Sequence, residues 1–299
     1  MSDNKKIITH SPVMLEQALQ ELKIDPEKEQ IFLDVTFGRG GHSRAILEAS
    51  PKAKVFAMDW SLEVFENIAP EFEELYKSRF VFVWAGFQHL YKTAKKHKFP
   101  KFDGILADFG TSQNQIFSDL GLSFRSQDYL DMRMSKAHAK KTAANLLNEL
   151  SEKELSDIFW NYGEERFSRK IASEIVKQRA VKRINYANEL AELVIKIKGW
   201  DKKNRTHPAT KIFQALRIAV NDEINNIQEF LKEAPIHLAD KGVFVCISFH
   251  SLEDREVKTS FKSLCLQEQC SKNSKLFPSD EEIEKNPSSR SAVMRILTK

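Results

Sequence analysis

Three glycines and two aspartates near the start of the chain carry the clearest chemical signal. Gly38, Gly40 and Gly41 follow a short apolar run that ends in Asp34, and a second apolar run ends in Asp59. Glycine lets a backbone approach a ligand closely and adopt positive φ. A carboxylate in the second position suits the hydroxyl pair of a ribose. The pattern therefore predicts a site for a ligand that contains a nucleoside.

The spacing of the glycines distinguishes two such ligands. A dinucleotide loop would read G-x-G-x-x-G, but Ser43 stands where the third glycine is needed. This weakens the interpretation as an NAD enzyme without excluding it, because Asp59 would serve NAD and S-adenosylmethionine (SAM) equally. Asp34 beside the loop favours a cationic ligand, such as the amino group of SAM, over a diphosphate.

Two further predicted strands add side chains to the same region. The strand over residues 102–108 ends in Asp108, and Phe87 follows the strand over residues 79–84. The Phe87 ring could stack on an adenine or belong to the core. Strands that alternate this regularly with helices predict an α/β fold with a doubly wound parallel sheet, which binds ligands beyond the carboxyl ends of its strands. We expect Phe87 and Asp108 to converge there with the two earlier aspartates.

The end of the chain predicts the rest of the sheet. A near-continuous apolar run over residues 242–248 ends in Ser248 and is typical of a strand buried on both faces. His250 follows in a turn at the ligand edge, although a lone histidine in a turn is more often structural. Residues 267–290 are polar and predict a loop, and residues 291–297 predict a last, antiparallel strand at the edge.

Composition limits the class of protein. The 299 residues are 41% hydrophobic and carry a net charge of +4, which allows a sizeable core and a nucleic-acid partner. The three cysteines form no CxxC pair, so neither a zinc ribbon nor a disulfide framework is indicated. No apolar run is long enough to cross a membrane. We expect a cytoplasmic protein with no membrane contact.

A central stretch changes character from strands to charged helices. We expect a first part of the core over residues 1–117, an inserted helical domain over residues 118–205 and the rest of the core over residues 206–299. Basic residues alternate in the insert with aromatic ones, which suits RNA, although a solvated face explains any single helix equally well. The run of cations at residues 95–98 is most often a solvated face too, with contact to phosphate as the alternative.

Eight motifs in this chain are similar, in order, to those of the RsmH (MraW) family of ribosomal RNA small-subunit methyltransferases. The motif at residues 36–43 reads TFGRGGHS, and that at residues 247–255 reads ISFHSLEDR. The eight motifs lie at residues 10–13, 36–43, 122–125, 130–134, 162–167, 207–210, 213–223 and 247–255.

The resemblance implies a class I SAM-dependent methyltransferase core with an inserted helical domain that holds RNA. It implies transfer of a methyl group from SAM to the exocyclic N4 of a cytidine in 16S rRNA, with free rRNA or the small ribosomal subunit as partner. It also implies SAM contacts at the matching residues Gly40, Gly41, His42, Asp59, Phe87, Asp108 and Gln115.

The resemblance and the strand ends together predict the reaction site. We expect Asp108 to orient or deprotonate the amine, with Ser248 and His250 framing the base. Asp34 and Gly38 join the cofactor site, and no metal is required. Binding to SAM alone is an equally good interpretation of Asp108. The expected RNA contacts are Arg125, Arg133, Arg166, Arg169, Lys182 and Arg183.

Two other functions remain open from the sequence. The residues after Asp108 depart from the family pattern, which would suit an RNA-binding paralogue without catalysis. An NAD-dependent oxidoreductase on a similar sheet is the second alternative. The sequence allows either a monomer or a homodimer.

Overall fold

A computed structural model describes residues 12–110, 120–200 and 206–299. The chain forms two compact units. Residues 1–110 with residues 226–299 form the first, here called the sheet unit, and residues 111–225 form the second, the helical unit. Within the described ranges, every helix is too short or too polar to cross a bilayer.

One seven-stranded sheet organises the sheet unit, in the order β3-β2-β1-β4-β5-β7-β6. Its first five strands pair in parallel, whereas β7 is antiparallel to both of its neighbours. This arrangement confirms the predicted fold class, a class I SAM-dependent methyltransferase sheet. The strands are β1 (Ile31–Asp34), β2 (Lys54–Asp59), β3 (Phe80–Trp84), β4 (Phe102–Asp108), β5 (Leu238–Ser248), β6 (Lys272–Leu276) and β7 (Val293–Thr298).

Helices cover both faces of this sheet. Neighbouring residues of a strand point to opposite faces, and Phe32 and Leu33 of β1 accordingly belong to two different apolar clusters. Phe72 joins the first cluster, and Leu90 joins the second. The helices of the sheet unit are α1 (Leu15–Leu22), α2 (Gly41–Ala49), α3 (Ala69–Tyr76), α4 (Leu90–His97), α10 (Glu223–His237, which begins in the helical unit), α11 (Ser251–Leu266) and α12 (Asp280–Lys285).

The edge of the sheet differs from the prediction. The predicted last strand is present as β7, but it lies between β5 and β6 and is not the edge strand. The edge is β6, within a stretch that was expected to be a loop. Its sequence, KNSKL, has no fully buried position. An edge strand with so little burial carries none of the apolar alternation that reveals strands in a sequence.

The helical unit has its own apolar core. Phe159, Ile175, Leu190 and Leu216 are fully buried in it. Its helices are α5 (Ala143–Glu149), α6 (Glu152–Asn161), α7 (Ser168–Val181), α8 (Ala187–Lys198) and α9 (Thr210–Asn221). The apolar side of α9 completes this core. The compact unit therefore ends at residue 225, whereas the sequence analysis expected a boundary at residue 205.

The apolar pattern of residues 206–233 predicts one long helix, but the structure divides it in two. Asp222 has a left-handed φ of 53° and separates α9 from α10. Arg217 spans the break, with two hydrogen bonds of 2.9 and 3.0 Å from its guanidinium to the Glu223 carboxylate. Pro235 lies inside α10 and does not end it. The break was not visible in the apolar pattern, which continues through Asp222.

One cysteine pair also differs from the prediction. Cys265 and Cys270 form a disulfide, with their Cα atoms 4.8 Å apart, where the sequence analysis expected none. The chain turns back at the end of α11, and this turn brings the two residues together. Cys246 is free and buried in β5.

Candidate active site

Asp34 ends β1 and fastens the loop that follows it. The side chain is only 1% exposed. One carboxylate oxygen accepts a hydrogen bond of 2.7 Å from the Ser43 hydroxyl, and the other accepts one of 3.1 Å from the Thr36 amide. Burial raises the pKa of Asp34 to about 6. A buried acid with so few donors would be stabilised by a cationic ligand.

The glycine loop needs two of its glycines for packing. Gly40 has a φ of 74°, and an added Cβ would lie 2.3 Å from the Phe72 ring. At Gly41, an added Cβ would lie 2.3 Å from Pro12. Gly38 also has positive φ, but the nearest atom to its added Cβ is 3.8 Å away. The open space at Gly38 is therefore where the backbone is free to approach a ligand.

Asp59 ends β2 beside this loop. Its carboxylate accepts hydrogen bonds of 2.8 Å from the amides of Gly38 and Ser61, one on each oxygen. Burial raises its pKa. Each carboxylate oxygen can accept a further hydrogen bond. Asp59 can therefore bind two hydroxyl groups while it holds the glycine loop in place.

His42 lies in the first turn of α2 and is buried. Its Nε2 is 3.3 Å from the carbonyl oxygen of Val13. Burial lowers the pKa of His42 to about 4, so the ring is neutral at physiological pH. The contact with Val13 anchors α2 to the segment before α1. The imidazole therefore has a structural partner of its own.

Phe87 follows β3 and is partly exposed. Its ring packs edge-on against Phe109 and Phe230, with centroid distances of 5.7 and 5.5 Å. The two interpretations of this residue are therefore compatible, because part of the ring joins an aromatic cluster and part remains accessible.

Asp108 ends β4 and is the most perturbed acid of the group. Its amide donates a 2.7 Å hydrogen bond to the Thr36 hydroxyl, and its carboxylate accepts one of 3.1 Å from the amide of Gly110. Burial raises the pKa of Asp108 to about 7, with smaller contributions from the negative charges of Asp34 and Glu253. This carboxyl group can exchange a proton near physiological pH.

Ser248 lies beside Asp108 at the end of β5. The two strands pair in parallel there, with Asp108 opposite Ile247, and the Phe109 amide donates a 3.0 Å hydrogen bond to the Ile247 carbonyl. The Ser248 hydroxyl is buried, and it has no hydrogen-bond partner among the described residues. A buried hydroxyl without a partner is costly, and it is a candidate to bind a polar group of a ligand.

Glu253 holds the turn after Ser248, a role that the sequence analysis missed. Its carboxylate accepts hydrogen bonds of 2.7 and 3.3 Å from the amides of Phe249 and His250. In return, the Glu253 amide donates a 3.4 Å hydrogen bond to His250 Nδ1. His250 Nε2 is 3.1 Å from the same carboxylate. Nδ1 of His250 therefore serves as the N-cap of α11, whereas the buried Nε2 forms no hydrogen bond with a described residue.

The sequence by itself predicts a capping box one residue later, beginning at Ser251. Serine is the commoner N-cap, and a histidine in that position gives no comparable signal. Thr36 was missed for a different reason, because its hydroxyl contacts an amide 72 positions away.

The expected RNA contacts lie in the helical unit and fall into two groups. Arg166, Arg169 and Arg183 are exposed and form no ion pair with a described residue. The other group consists of cations with partners. Lys182 pairs with Glu189 at 2.7 Å.

Arg133 and Arg125 complete the second group. Arg133 donates hydrogen bonds of 2.6 and 2.9 Å to the two carboxylate oxygens of Asp131. Arg125 is exposed, and its guanidinium lies 5.8 Å from the centre of the Phe124 ring. Gln115, the remaining predicted cofactor contact, lies outside the described residues.

The sheet order and the aspartates that end β1, β2 and β4 define this protein as a class I methyltransferase. Residues 7–299 match the MraW methylase family, and the chain belongs to that family. This confirms the predicted resemblance and excludes the oxidoreductase alternative.

Curated relatives resemble the chain over nearly its whole length. A protein from Crocosphaera subtropica, named Ribosomal RNA small subunit methyltransferase H, is 42% identical over 288 residues, which cover 96% of this chain and 88% of the relative. A protein of the same name from Sulfurihydrogenibium sp. is 38% identical over 297 residues, which cover 97% of this chain and 99% of the relative.

Proposed function

We propose that the protein transfers the methyl group of SAM to the exocyclic N4 of a cytidine in 16S rRNA. The observation that carries this proposal is Asp108, a carboxyl group with a pKa near 7 at the end of β4. The neighbouring strand β5 ends in Ser248, whose buried hydroxyl has no hydrogen-bond partner among the described residues. The family and the names of the curated relatives support the choice of ribosomal RNA as substrate.

The residues of the sheet unit fit SAM. Asp59 would bind the ribose hydroxyls, the accessible part of Phe87 would lie against the adenine, and the loop backbone at Gly38 would approach the ligand. Asp34 would supply negative charge near the ammonium group, and Gln115 remains a predicted contact. When bound, SAM supplies a methyl group activated by a sulfonium.

Asp108 would act on the nucleophile. The exocyclic amine of cytosine is a weak nucleophile because its lone pair is delocalised into the ring. Methyl transfer breaks the S–CH3 bond and forms an N–CH3 bond, and the nitrogen gives up one proton. A carboxylate with a pKa near the working pH can accept that proton. The hydrogen bond from Gly110 to Asp108 fixes the orientation of the acceptor.

The turn after β5 would form the wall against which the base is held. Chemistry on a base requires the nucleotide to be single-stranded or flipped out of its helix. The Ser248 hydroxyl would bind a polar edge of the base, and the rings of Phe109 and Phe249 would offer surfaces for stacking. Because Nδ1 of His250 accepts the hydrogen bond that caps α11, we assign His250 to holding this wall.

The helical unit would bind the RNA around the target. Arg166, Arg169 and Arg183 are the exposed arginines available to phosphate groups. Lys182 and Arg133 would have to exchange their acidic partners for phosphate. Stacking of Arg125 on Phe124 leaves its donors free to face RNA. A ribosomal substrate would place the protein in the cytoplasm, as a monomer or a homodimer.

The direct test is methylation of small ribosomal subunits from a strain that lacks this protein. Purified protein is incubated with labelled SAM and the subunits, and the digested RNA is analysed by mass spectrometry. We expect N4-methylcytidine with the wild-type protein and none with Asp108→Asn. Label on another nucleoside would overturn the assignment of the amine. SAM binding with no label in either free rRNA or subunits would favour the non-catalytic paralogue.

A further inference from the structure

We propose that the outer face of α4 is a second RNA-binding surface, which contacts phosphate groups of the substrate away from the target nucleotide. This α4 basic face consists of Tyr91, Lys92, Lys95, Lys96 and Lys98. The inference rests on the proposed function for the identity of the RNA. It adds a contact surface on the sheet unit, which the predicted RNA contacts did not include.

The sequence of α4 divides cleanly into two sides. Leu90, Thr93 and Ala94 are buried, at the spacing that places residues on one face of a helix. Every residue of the α4 basic face is exposed, and the Tyr91 side chain is 56% exposed. The packing of the helix is therefore complete without these five side chains.

The lysines of the α4 basic face have no acidic partner among the described residues. The helix itself contains no acid. Four other exposed lysines of the sheet unit each form an ion pair and serve as a comparison. These are Lys28 with Asp25, Lys52 with Glu27, Lys232 with Glu229 and Lys285 with Glu281.

Such a cluster carries an electrostatic cost. Lys92 and Lys96 are four residues apart on one helix, where like charges repel each other. The helix dipole favours cations in the last turn and accounts for part of the cluster. It does not account for Lys92, which lies in the first turn. A polyanion would relieve the repulsion across the whole face.

The chemistry of the face favours RNA over the other possible partners. A helix that binds a membrane needs an apolar face, and the outer face of α4 presents no aliphatic side chain. Tyr91 offers a ring on which a base can stack. Proteins that bind single-stranded RNA commonly combine cationic side chains with such aromatic rings. Acids of α3, including Glu73 and Glu74, lie over the opposite face of the sheet and could attract a second copy. Such a contact would join different surfaces of the two copies, head to tail. It gives a closed oligomer only if the rotation between neighbouring copies completes a ring.

The test compares two variants with the same loss of charge. The first variant replaces the four lysines of the α4 basic face by glutamine: Lys92→Gln, Lys95→Gln, Lys96→Gln and Lys98→Gln. The matched control replaces the four ion-paired lysines: Lys28→Gln, Lys52→Gln, Lys232→Gln and Lys285→Gln. Binding to 16S rRNA is measured without SAM over a series of salt concentrations.

We expect the slope of log Kd against log salt to fall by about 3 in the first variant, because each lost phosphate contact removes roughly 0.7 to 0.9 from it. At low salt, the Kd should rise about tenfold or more. The control should change the slope by less than about 1, and both variants should keep the wild-type Kd for SAM. Equal effects in the two variants would overturn the proposal.

Two further measurements separate the alternatives. Sedimentation velocity without RNA would overturn the proposal if the first variant alone lost an oligomer. Tighter binding of the wild-type protein to vesicles of anionic lipid than to rRNA would also overturn it.

If the wild-type protein bound rRNA without methylating it, the proposed function would fail while the binding comparison still tested the α4 basic face. Should the fourfold variant not fold, the pair Lys95→Gln and Lys96→Gln should give about half the change in slope.

Discussion

The two units of this chain handle charge in opposite ways. In the sheet unit, Asp34, Asp59 and Asp108 have raised pKa values and form no ion pair with a described residue. In the helical unit, exposed arginines such as Arg166 and Arg169 are the charges without partners. Isolated charges are costly when buried and available for binding when exposed. The buried acids of the sheet unit are therefore suited to a small cation, and the exposed arginines of the helical unit, like the α4 basic face, to a polyanion.

The strongest test of this contrast removes the acid at the centre of the sheet unit. We expect Asp108→Asn to lower the rate of methyl transfer by about 10²- to 10⁴-fold, the usual contribution of a positioned general base. Single-turnover assays at saturating SAM would measure this. Asp240→Asn is a suitable control because the Asp240 side chain is 99% exposed. Normal turnover by Asp108→Asn would mean that Asp108 serves only to bind SAM.

A second test separates cofactor binding from RNA binding. We expect Asp59→Ala to weaken SAM binding by about 10- to 100-fold, because hydrogen bonds to a charged group contribute roughly 1.5 to 3 kcal/mol. The affinity for rRNA should not change. Arg166→Ala should leave the Kd for SAM at its wild-type value. Calorimetry with SAM alone measures the Kd of SAM for both variants. Equal losses of SAM affinity would contradict the division of cofactor binding and RNA binding between the two units.

Two glycines with positive φ sharpen the contrast in packing. Gly40 in the sheet unit and Gly199 in the helical unit have φ values of 74° and 71°. An added Cβ would meet Phe72 at 2.3 Å from Gly40, but it would meet nothing within 4 Å at Gly199. Gly199 has a ψ of 162°, a conformation almost confined to glycine, so we expect Gly199→Ala to lower the free energy of unfolding by about 1 to 3 kcal/mol from backbone strain alone.

Gly40 lies in the left-handed helical region, so Gly40→Ala should lower the free energy of unfolding by about 1 to 2 kcal/mol from strain and by about 1 to 3 kcal/mol more from overpacking. Urea denaturation measures both glycine variants. A loss of no more than about 2 kcal/mol at Gly40 would mean that the loop moves to accept the methyl group, and that the close packing there is not needed for stability.

The pH dependence of stability tests the raised pKa of Asp108. The folded protein holds this proton up to about pH 7, whereas the unfolded chain loses it near the ordinary value of 3.8. Stability from this group is therefore complete below about pH 4 and is lost as the pH rises to about 7. Asp108→Asn does not titrate, so the difference in unfolding free energy between this variant and the wild type should change in its favour by roughly 4 kcal/mol over that interval, since each pKa unit is worth about 1.4 kcal/mol. A constant difference would mean that the carboxylate is ionised throughout.

The same contrast explains what the sequence could predict. Asp34, Asp59 and Asp108 were found because each ends an apolar run, which is a local signal. Glu253 and Thr36 were missed because their roles depend on contacts with residues that fold beside them, in the case of Thr36 72 positions away. The fold class followed from strand alternation, but the polar edge strand β6 gave no such pattern.

In the helical unit, composition predicted basic residues near aromatics without predicting their partners. Arg133 and Arg166 read alike in the sequence, but only Arg133 donates two hydrogen bonds to an acid. The sequence also did not reveal where the helical unit ends, because the apolar face of α9 could pack against the core of either unit.

The smallest effect we predict separates these two arginines. Arg166→Ala should weaken rRNA binding several-fold and lower the salt slope by about 1, as expected for one phosphate contact. Its unfolding free energy should stay within about 0.5 kcal/mol of wild type, because exposed side chains contribute little. Arg133→Ala should instead lower the unfolding free energy and leave rRNA binding nearly unchanged. The reason is that Arg133 lowers the pKa of Asp131, and its loss leaves the Asp131 carboxylate without its partner. Titrations with 16S rRNA and urea melts on both variants would measure this. Two arginines with equal effects on rRNA binding would mean that the ion pair of Arg133 opens when RNA binds.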